Sequence, residues 1–363
     1  MRIVVAMSGG VDSSTVAGLL VEAGHEVIGL AMKTHAEAPK HNRACCTPDD
    51  MRDARRVADH LGIPFYVLNY AELFREVVIG PFAEAYTRGR TPNPCIECND
   101  KVKFRPLLAR AKLLGAEKLA TGHYARIEDD TFALRRGVDP KKDQSYFLYR
   151  LDREQLGQLL FPVGGMHKDE VRAHAARLGL PVAEKRESQE ICFVGDGGYA
   201  ATVETIAGRG GAAGQIVDGN GKSLGVHEGV HHFTYGQRRG LRIAASEPLY
   251  VTDIDAASGT VRVGPREQLE TDSVVVEGVR WTQTPPHASE VVLVQQRYRE
   301  SPKACRVEQL DAGTARLWFV DKQPRGAPGQ AAVIYRDDVV LGGGSIAAAA
   351  RPSAEPDRAR AAP

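Results

Sequence analysis

The chain has 363 residues, 43 % of them hydrophobic and 26 % charged, with 47 Lys and Arg against 46 Asp and Glu. That length predicts two or three domains with ordinary cores, and a formal charge of +1 excludes a strongly basic protein while leaving room for a local patch toward RNA. Six cysteines exclude a disulfide scaffold, and with five apolar residues before the first glycines and no run long enough to span a membrane, the expectation is a cytoplasmic protein with no membrane partner.

Ile3 to Met7 is a continuous apolar run, read as a parallel strand buried on both faces, and the helix after it carries Val16, Leu19 and Leu20 on one side. Between them lies SGGVDSS. Gly9 and Gly10 let successive amide hydrogens converge on one anion at the helix N-terminus, and Ser8, Ser13 and Ser14 add hydroxyl donors. No lysine occurs before Lys33, so this is not a Walker loop, and phosphate is gripped by amides and hydroxyls. Asp12 in an anion site implies a cation between carboxylate and phosphate, read as Mg2+. The stretch resembles the PP-loop of the ATP pyrophosphatases, which cleave ATP between the α and β phosphates and adenylate a carbonyl or carboxyl oxygen.

His25 to Lys33 reads as the next strand, giving a βαβ unit and a parallel sheet with its ligand at the carboxyl ends of the strands. Met32 sits at such an end, where it either meets an adenine or fills the core. Residues 34 to 50 read as a polar loop holding Cys45 and Cys46, whose side chains diverge and make poor joint metal ligands. A helix (50–62), a strand (64–70) and a helix (74–91) follow. In TPNPCIECNDKVKF, two prolines flanking Asn93 predict an extended, exposed loop carrying Cys95 and Cys98, with a helix from Asp100 to Leu114.

KLATGHYA is the next strand, which puts Gly122 and His123 on the edge that holds the PP-loop. His123 is catalytic, bonded to nucleotide, or packed. After a hairpin (124–137), KKDQSYFLYRL is either an RNA contact, with aromatic and amide groups interleaved, or an amphipathic helix with a polar start. GMHKDEVRAHAARLGLPVA is an amphipathic helix followed by a turn, and Cys192 lies between apolar neighbours just before a glycine-rich turn. Beyond Tyr199 glycine rises and short alternating runs predict β structure ending in a small barrel, divided near Asp272, with a disordered tail from Arg351.

With TPNPCIECN, TGHY, KDQSYFL, ICFVG, FTYGQRRGL and LGGGSI following the PP-loop in this order, the chain from Ile3 to Ile346 resembles the bacterial tRNA-specific 2-thiouridylases. The resemblance implies an α/β Rossmann-like PP-loop domain (1–198), a linker-like middle domain (199–271), a tRNA-contacting β-barrel (272–350) and a tail (351–363). It implies ATP-dependent 2-thiolation of the wobble uridine in tRNAs for lysine, glutamate and glutamine, with sulfur from a relay fed by a cysteine desulfurase. ATP would bind Ala6, Met7, Ser8, Gly9, Gly10, Val11, Asp12 and Ser13, completed by Met32 and Gly122. Cys98 matches the catalytic cysteine and Cys192 the persulfide carrier. Asn93, Pro94 and Cys95 match the segment facing the target base, and several relatives carry aspartate in place of Cys95. Lys142, Asp143, Gln144, Arg297 and Tyr298 match tRNA contacts.

Two sulfur routes stay open. One uses Cys98 and Cys192 alone, and the other an iron–sulfur cluster on Cys95, Cys98 and Cys192. Tyr235, Gln237, Arg238 and Arg239 either touch RNA or serve the fold. The rival readings are a small-molecule amidating synthetase of the same superfamily and a non-catalytic RNA-binding protein.

Overall fold

Alternation along the first strand decides the layers: Ile3 and Val5 face one way and Val4 the other, all fully buried. In this computed structural model, residues 1–35, 47–186, 191–208 and 210–348 are described, and Cys45, Cys46 and the tail from Arg351 lie outside them. The strands β1 (Arg2–Ala6), β2 (Glu26–Lys33), β3 (Phe65–Asn69), β4 (Lys118–Thr121) and, after the β5–β6 hairpin described below, β7 (Leu159–Leu160) form a parallel sheet in the order β3-β2-β1-β4-β7. Helices α1 (Val11–Glu22) and α2 (Pro48–Leu61) cover the face of Ile3, Val5 and Val27. Thr47 and Asp50 cap α2 reciprocally, and Gly62 ends it in the left-handed conformation.

The predicted helix at 74–91 is in two parts. A short helix α3 (Ala71–Phe74) runs through a π-helical turn, Arg75–Ile79, into α4 (Gly80–Thr87). The cysteine segment departs further from expectation. The chain is extended only to Asn93, whose Oδ1 accepts from the Cys95 amide at 3.2 Å, and a continuous helical rod begins there. It comprises α5 (Pro94–Glu97), a π segment Cys98–Phe104 and α6 (Arg105–Leu113). The physical reason is positional: Pro94 is at N1, where a missing amide hydrogen costs nothing, so the proline starts the helix instead of forbidding it. Cys95 and Cys98 therefore sit one helical turn apart on one side of the rod.

Strands β5 (Ala125–Ile127) and β6 (Leu134–Arg136) form the expected hairpin. KKDQSYFLYRL is no amphipathic helix. It holds a single 3-10 turn, Ser145–Phe147, with Tyr146 and Tyr149 each 1 % exposed. Helix α7 (Arg153–Gly157) is followed by α8 (Lys168–Arg177), which packs on α1, Gly18 giving way to Leu178. Helix α9 (Gly198–Ala207) closes the first half.

The middle region is more than a linker. Strands β8 (Gly214–Val217), β9 (Ser223–His227), β10 (Tyr250–Asp255) and β11 (Thr260–Gly264) make a four-stranded sheet in the order β10-β11-β8-β9. Its own core contains Ile216, Phe233, Val251, Val261 and Val263. The last strands, β12 (Glu270–Trp281), β13 (Val292–Gln295), β14 (Lys303–Asp311), β15 (Thr314–Pro324), β16 (Ala331–Arg336) and β17 (Val339–Ile346), close into a barrel through β12–β17 pairing. The β5–β6 hairpin joins this sheet, pairing Arg135 with Val339, so the first and last parts of the chain share one ladder. No described helix is long and apolar enough to cross a membrane.

Candidate active site

The PP-loop occupies the carboxyl end of β1, as a βαβ sheet requires. Gly9 has φ +72°, and a Cβ there would overlap the Asp50 carbonyl, so glycine serves both the turn and the close approach of α2. Gly10 is the N-cap of α1, and its carbonyl accepts from Ser14 Oγ at 2.8 Å. The Ser8 amide donates to Ser13 Oγ at 3.1 Å, and exposed Ser8 stands at the mouth. Gly122 lies against the same turn, because a Cβ there would come within 2.7 Å of the Ser13 nitrogen. Met32 is 7 % exposed within the core beside Leu30 and Ile96, so its side chain fills the core.

Asp12 already has a cation. Lys168 Nζ of α8 lies 2.6 Å from Asp12 Oδ1, and the Tyr124 hydroxyl donates to the same oxygen at 2.7 Å. The Lys168 side chain is 9 % exposed, so a buried ammonium stands beside the anion loop that lacks a lysine of its own. Lys185 is the second ammonium that the sequence reading missed. It donates to the Gly9 carbonyl at 3.0 Å, to Asp50 at 2.7 Å and to Asp53 at 2.6 Å. Burial opposes charge on Lys185, but its hydrogen bonds to the two aspartates outweigh that and raise its pKa. The only hint in sequence was negative: a phosphate loop without lysine has to take its cation from elsewhere in the chain.

His123 is 8 % exposed, with Nδ1 2.5 Å from Thr121 Oγ1 and Nε2 3.4 Å from Lys103 Nζ. Its ring lies 5.4 Å from Phe104 and 5.8 Å from Phe161. Burial, then Lys103, holds its pKa well below the usual imidazole range, so it is a neutral packed group joining the PP-loop edge to the cysteine rod.

Cys98 and Cys192 pack against one apolar cluster, formed by Phe74, Val78 and Val102. Phe193 anchors the Cys192 turn there, edge-on to Phe74 at 5.9 Å and to Phe82 at 4.9 Å. Cys95 is exposed and outside that cluster. On the rod itself, Glu97 pairs with Arg150 at 2.5 Å and Lys101 at 2.9 Å, and Asp100 with Arg105 at 2.8 Å and with Arg280 of the barrel at 3.6 Å. Burial raises the Glu97 pKa, but Arg150 and Lys101 outweigh it, and the carboxylate stays ionised. A cleft lined by Arg90, Asn93, Glu97, Tyr149, Arg150 and Ser345 opens between this rod and the barrel. Pro94, the first residue of the rod, is buried.

The two remote groups of candidate tRNA contacts come together. Tyr298 packs on Phe147 at 4.4 Å and Tyr146 at 6.3 Å, and exposed Arg297 precedes it. Burial raises the pKa of the Tyr298 hydroxyl against a hydrogen bond with Arg299, and Asp143 and Lys142 act on it more weakly in opposite directions. Asp143 itself is spent internally, accepting from Gly137, Ser145 and Arg136, and Gln144 Oε1 accepts from the Tyr124 amide at 3.0 Å. Both hold the turn that presents Lys142. Tyr235 is buried under Arg325, while Arg238 and Arg239 stay at or near the surface.

Three family models match in succession: "tRNA methyl transferase HUP domain" over residues 1–196, "tRNA methyl transferase PRC-barrel domain" over 205–265 and "Aminomethyltransferase beta-barrel domain" over 271–346. The chain is 50 % identical over 354 residues to the tRNA-specific 2-thiouridylase MnmA of Geotalea uraniireducens, covering 95 % of this chain and 94 % of the relative. It is 52 % identical over 362 residues to that of Geobacter metallireducens, covering 96 % and 97 %. The Rickettsia felis relative is 46 % identical over 350 residues, covering 95 % and 96 %. With its three regions matched in order and near-complete coverage at about half identity, the chain belongs to the tRNA-specific 2-thiouridylase family.

Proposed function

We propose that the protein is an ATP-dependent tRNA-uridine 2-sulfurtransferase acting on the wobble uridine of tRNAs for lysine, glutamate and glutamine, in the cytoplasm. The observation that carries this reading is the convergence of Cys98 and Cys192 on one apolar wall, with the rod bearing Cys98 tied through Lys103 and His123 to the strand end that touches the PP-loop. The uracil C2 oxygen is a poor leaving group, and adenylation converts it into AMP with release of pyrophosphate. Amides of Ser8 to Ser13 and the Lys168 ammonium hold the polyphosphate. Mg2+ fits here only partly, since Lys168 and Tyr124 share Oδ1 of Asp12; Oδ2 would be its protein ligand, and the ion would neutralise phosphate charge.

Sulfur reaches Cys192 as a persulfide from a donor fed by a cysteine desulfurase. Its outer sulfur goes to C2 as AMP departs, and the Cys98 thiolate attacks the inner sulfur to give a Cys98–Cys192 disulfide, which external thiol reduces. Cys95 is read as a bystander near the target base and not as a third ligand of an iron–sulfur cluster, because the pairing of Cys98 with Cys192 already suffices for the transfer. Asn93, Pro94 and Cys95 face the base from the helix start, and Lys142 with Arg297 and Tyr298 grips the phosphates and a stacked base of the anticodon stem-loop, positioned by Asp143 and Gln144.

The "methyl transferase" wording of the family models names a different transfer. Nucleoside mass spectrometry of tRNA incubated with protein, ATP, a persulfide donor and a reducing thiol separates the two, since the present reading requires 2-thiouridine together with AMP and pyrophosphate. A methylated uridine, or ADP and phosphate, would sink it. Cys95→Ser purified anaerobically tests the sulfur route: thiolation retained excludes the cluster as required carrier, whereas loss of both bound iron and thiolation overturns the persulfide-only route.

A further inference from the structure

We propose that Glu204, His231 and His232 form a site for one divalent transition-metal ion of the zinc class, which fastens the helix following the Cys192 segment to the middle domain. Glu204 is on α9, and both histidines are on the 3-10 turn Val230–His232 that precedes FTYGQRRGL. Glu204 Oε1 lies 2.9 Å from His231 Nε2 and 3.3 Å from His232 Nε2, and all three ligand atoms fall within 4.8 Å of one another. Tetrahedral binding at ~2.0 to 2.1 Å sets neighbouring nitrogen and oxygen ligands about 3.3 Å apart. The observed spacings therefore already approximate a coordination shell.

A simple ion pair accounts for the arrangement less well. One carboxylate oxygen is shared by two imidazoles whose ring centroids are 4.3 Å apart, and two imidazolium cations at that separation repel each other. The His231 ring is also built into place. A Cβ on Gly229 would overlap it, and one on Gly211 would come within 2.7 Å, so two glycines make its slot and aim Nε2 at Glu204. His231 is 3 % exposed, whereas the Glu204 and His232 side chains are 38 % and 33 % exposed, which leaves one side open for entry of an ion and for water as the fourth ligand.

The position suggests the purpose. Val203 and Ile206 of α9 pack with Phe82, Tyr86 and Phe193, so that face of the helix belongs to the wall that anchors the Cys192 turn. Glu204 reaches instead to the middle domain. An ion at Glu204 would fix α9 between the two and so fix the exit of the segment bearing Cys192.

The test uses full-length protein carrying Cys95→Ser, Cys98→Ser and Cys192→Ser, stripped with chelator, so that the thiols of the sulfur site do not compete. Titration with Co2+ is followed by visible absorption, and with Zn2+ by calorimetry and thermal unfolding. The expected result is one equivalent bound with no thiolate charge-transfer band, an affinity at least tenfold weaker in the added Glu204→Gln or His231→Ala, and a zinc-induced rise in Tm that Glu204→Gln loses. Glu204→Gln sits on a half-exposed helix position and keeps the test alive where His231→Ala fails to fold. No thiolate-independent binding, or equal affinity in Glu204→Gln, overturns the site and leaves a hydrogen-bonded contact. Neither readout involves ATP or tRNA, so the result is independent of the thiolation reading.

Discussion

Around the PP-loop, side chains are held by charge: Asp12 takes Lys168 and Tyr124, and Lys185 ties the Gly9 carbonyl to Asp50 and Asp53. Around Cys98 and Cys192 the neighbours are Phe74, Val78, Val102 and Phe193. The difference follows from what the proposed function asks of each region. A polyphosphate is stabilised by fixed dipoles and ammonium groups that need no rearrangement as charge moves. A sulfane sulfur is better kept from water, and an apolar wall does that without offering it a competing partner. His123 lies between the two, touching Thr121 on one side and Lys103 and Phe104 on the other.

The largest expected effect separates the regions outright. Cys98→Ser and Cys192→Ser should each abolish 2-thiouridine while ATP and tRNA still yield pyrophosphate, measured by nucleoside mass spectrometry beside a pyrophosphate assay. Loss of both products in either variant would mean that the sulfur region is needed for adenylation. The converse variant is Lys168→Met, expected to slow pyrophosphate release by on the order of 10²-fold, in line with removal of a pre-oriented charge donor. A rate within twofold of the parent would leave Lys168 a purely structural partner of Asp12.

Phe193→Ala is expected to loosen the Cys192 turn, lowering thiolation about tenfold at unchanged pyrophosphate release, since a misplaced reacting group costs rate without removing chemistry. Rapid-quench measurement of both products decides it, and equal losses in both would contradict the anchoring role. Lys142→Ala and Arg297→Ala should each weaken tRNA binding and lower the slope of log affinity against log salt by about one. Filter binding across a salt series provides the check, with an unchanged slope arguing against phosphate contact.

The smallest effect concerns His123. Its folded pKa lies below its unfolded value, so the unfolded chain takes up the extra proton as pH falls. The stability contributed by keeping it neutral is complete above the unfolded pKa of about 6.5 and falls as the pH drops below that, by at most about 1.4 kcal/mol per pH unit. Urea unfolding at pH 7.5 and 5.5 should show less difference in His123→Gln than in the parent, and an equal difference would show that other groups dominate.

What the sequence determined by itself was local and chemical. The apolar run into SGGVDSS specifies strand, anion turn and helix, because glycine dihedrals and orphan amides are properties of those residues alone. Motif order sufficed to place Cys98 and Cys192 in the resemblance. The proline rule misjudged 94–99, because whether Pro94 breaks or begins a helix depends on its being at N1, and that is set by the packing of Ile96, Val102 and Phe104. Lys168, Lys185 and the pairing of Arg135 with Val339 were decided only by tertiary structure. These join residues 156, 176 and about 200 positions apart, and a charge or ladder partner at that separation leaves no periodicity in the chain to read.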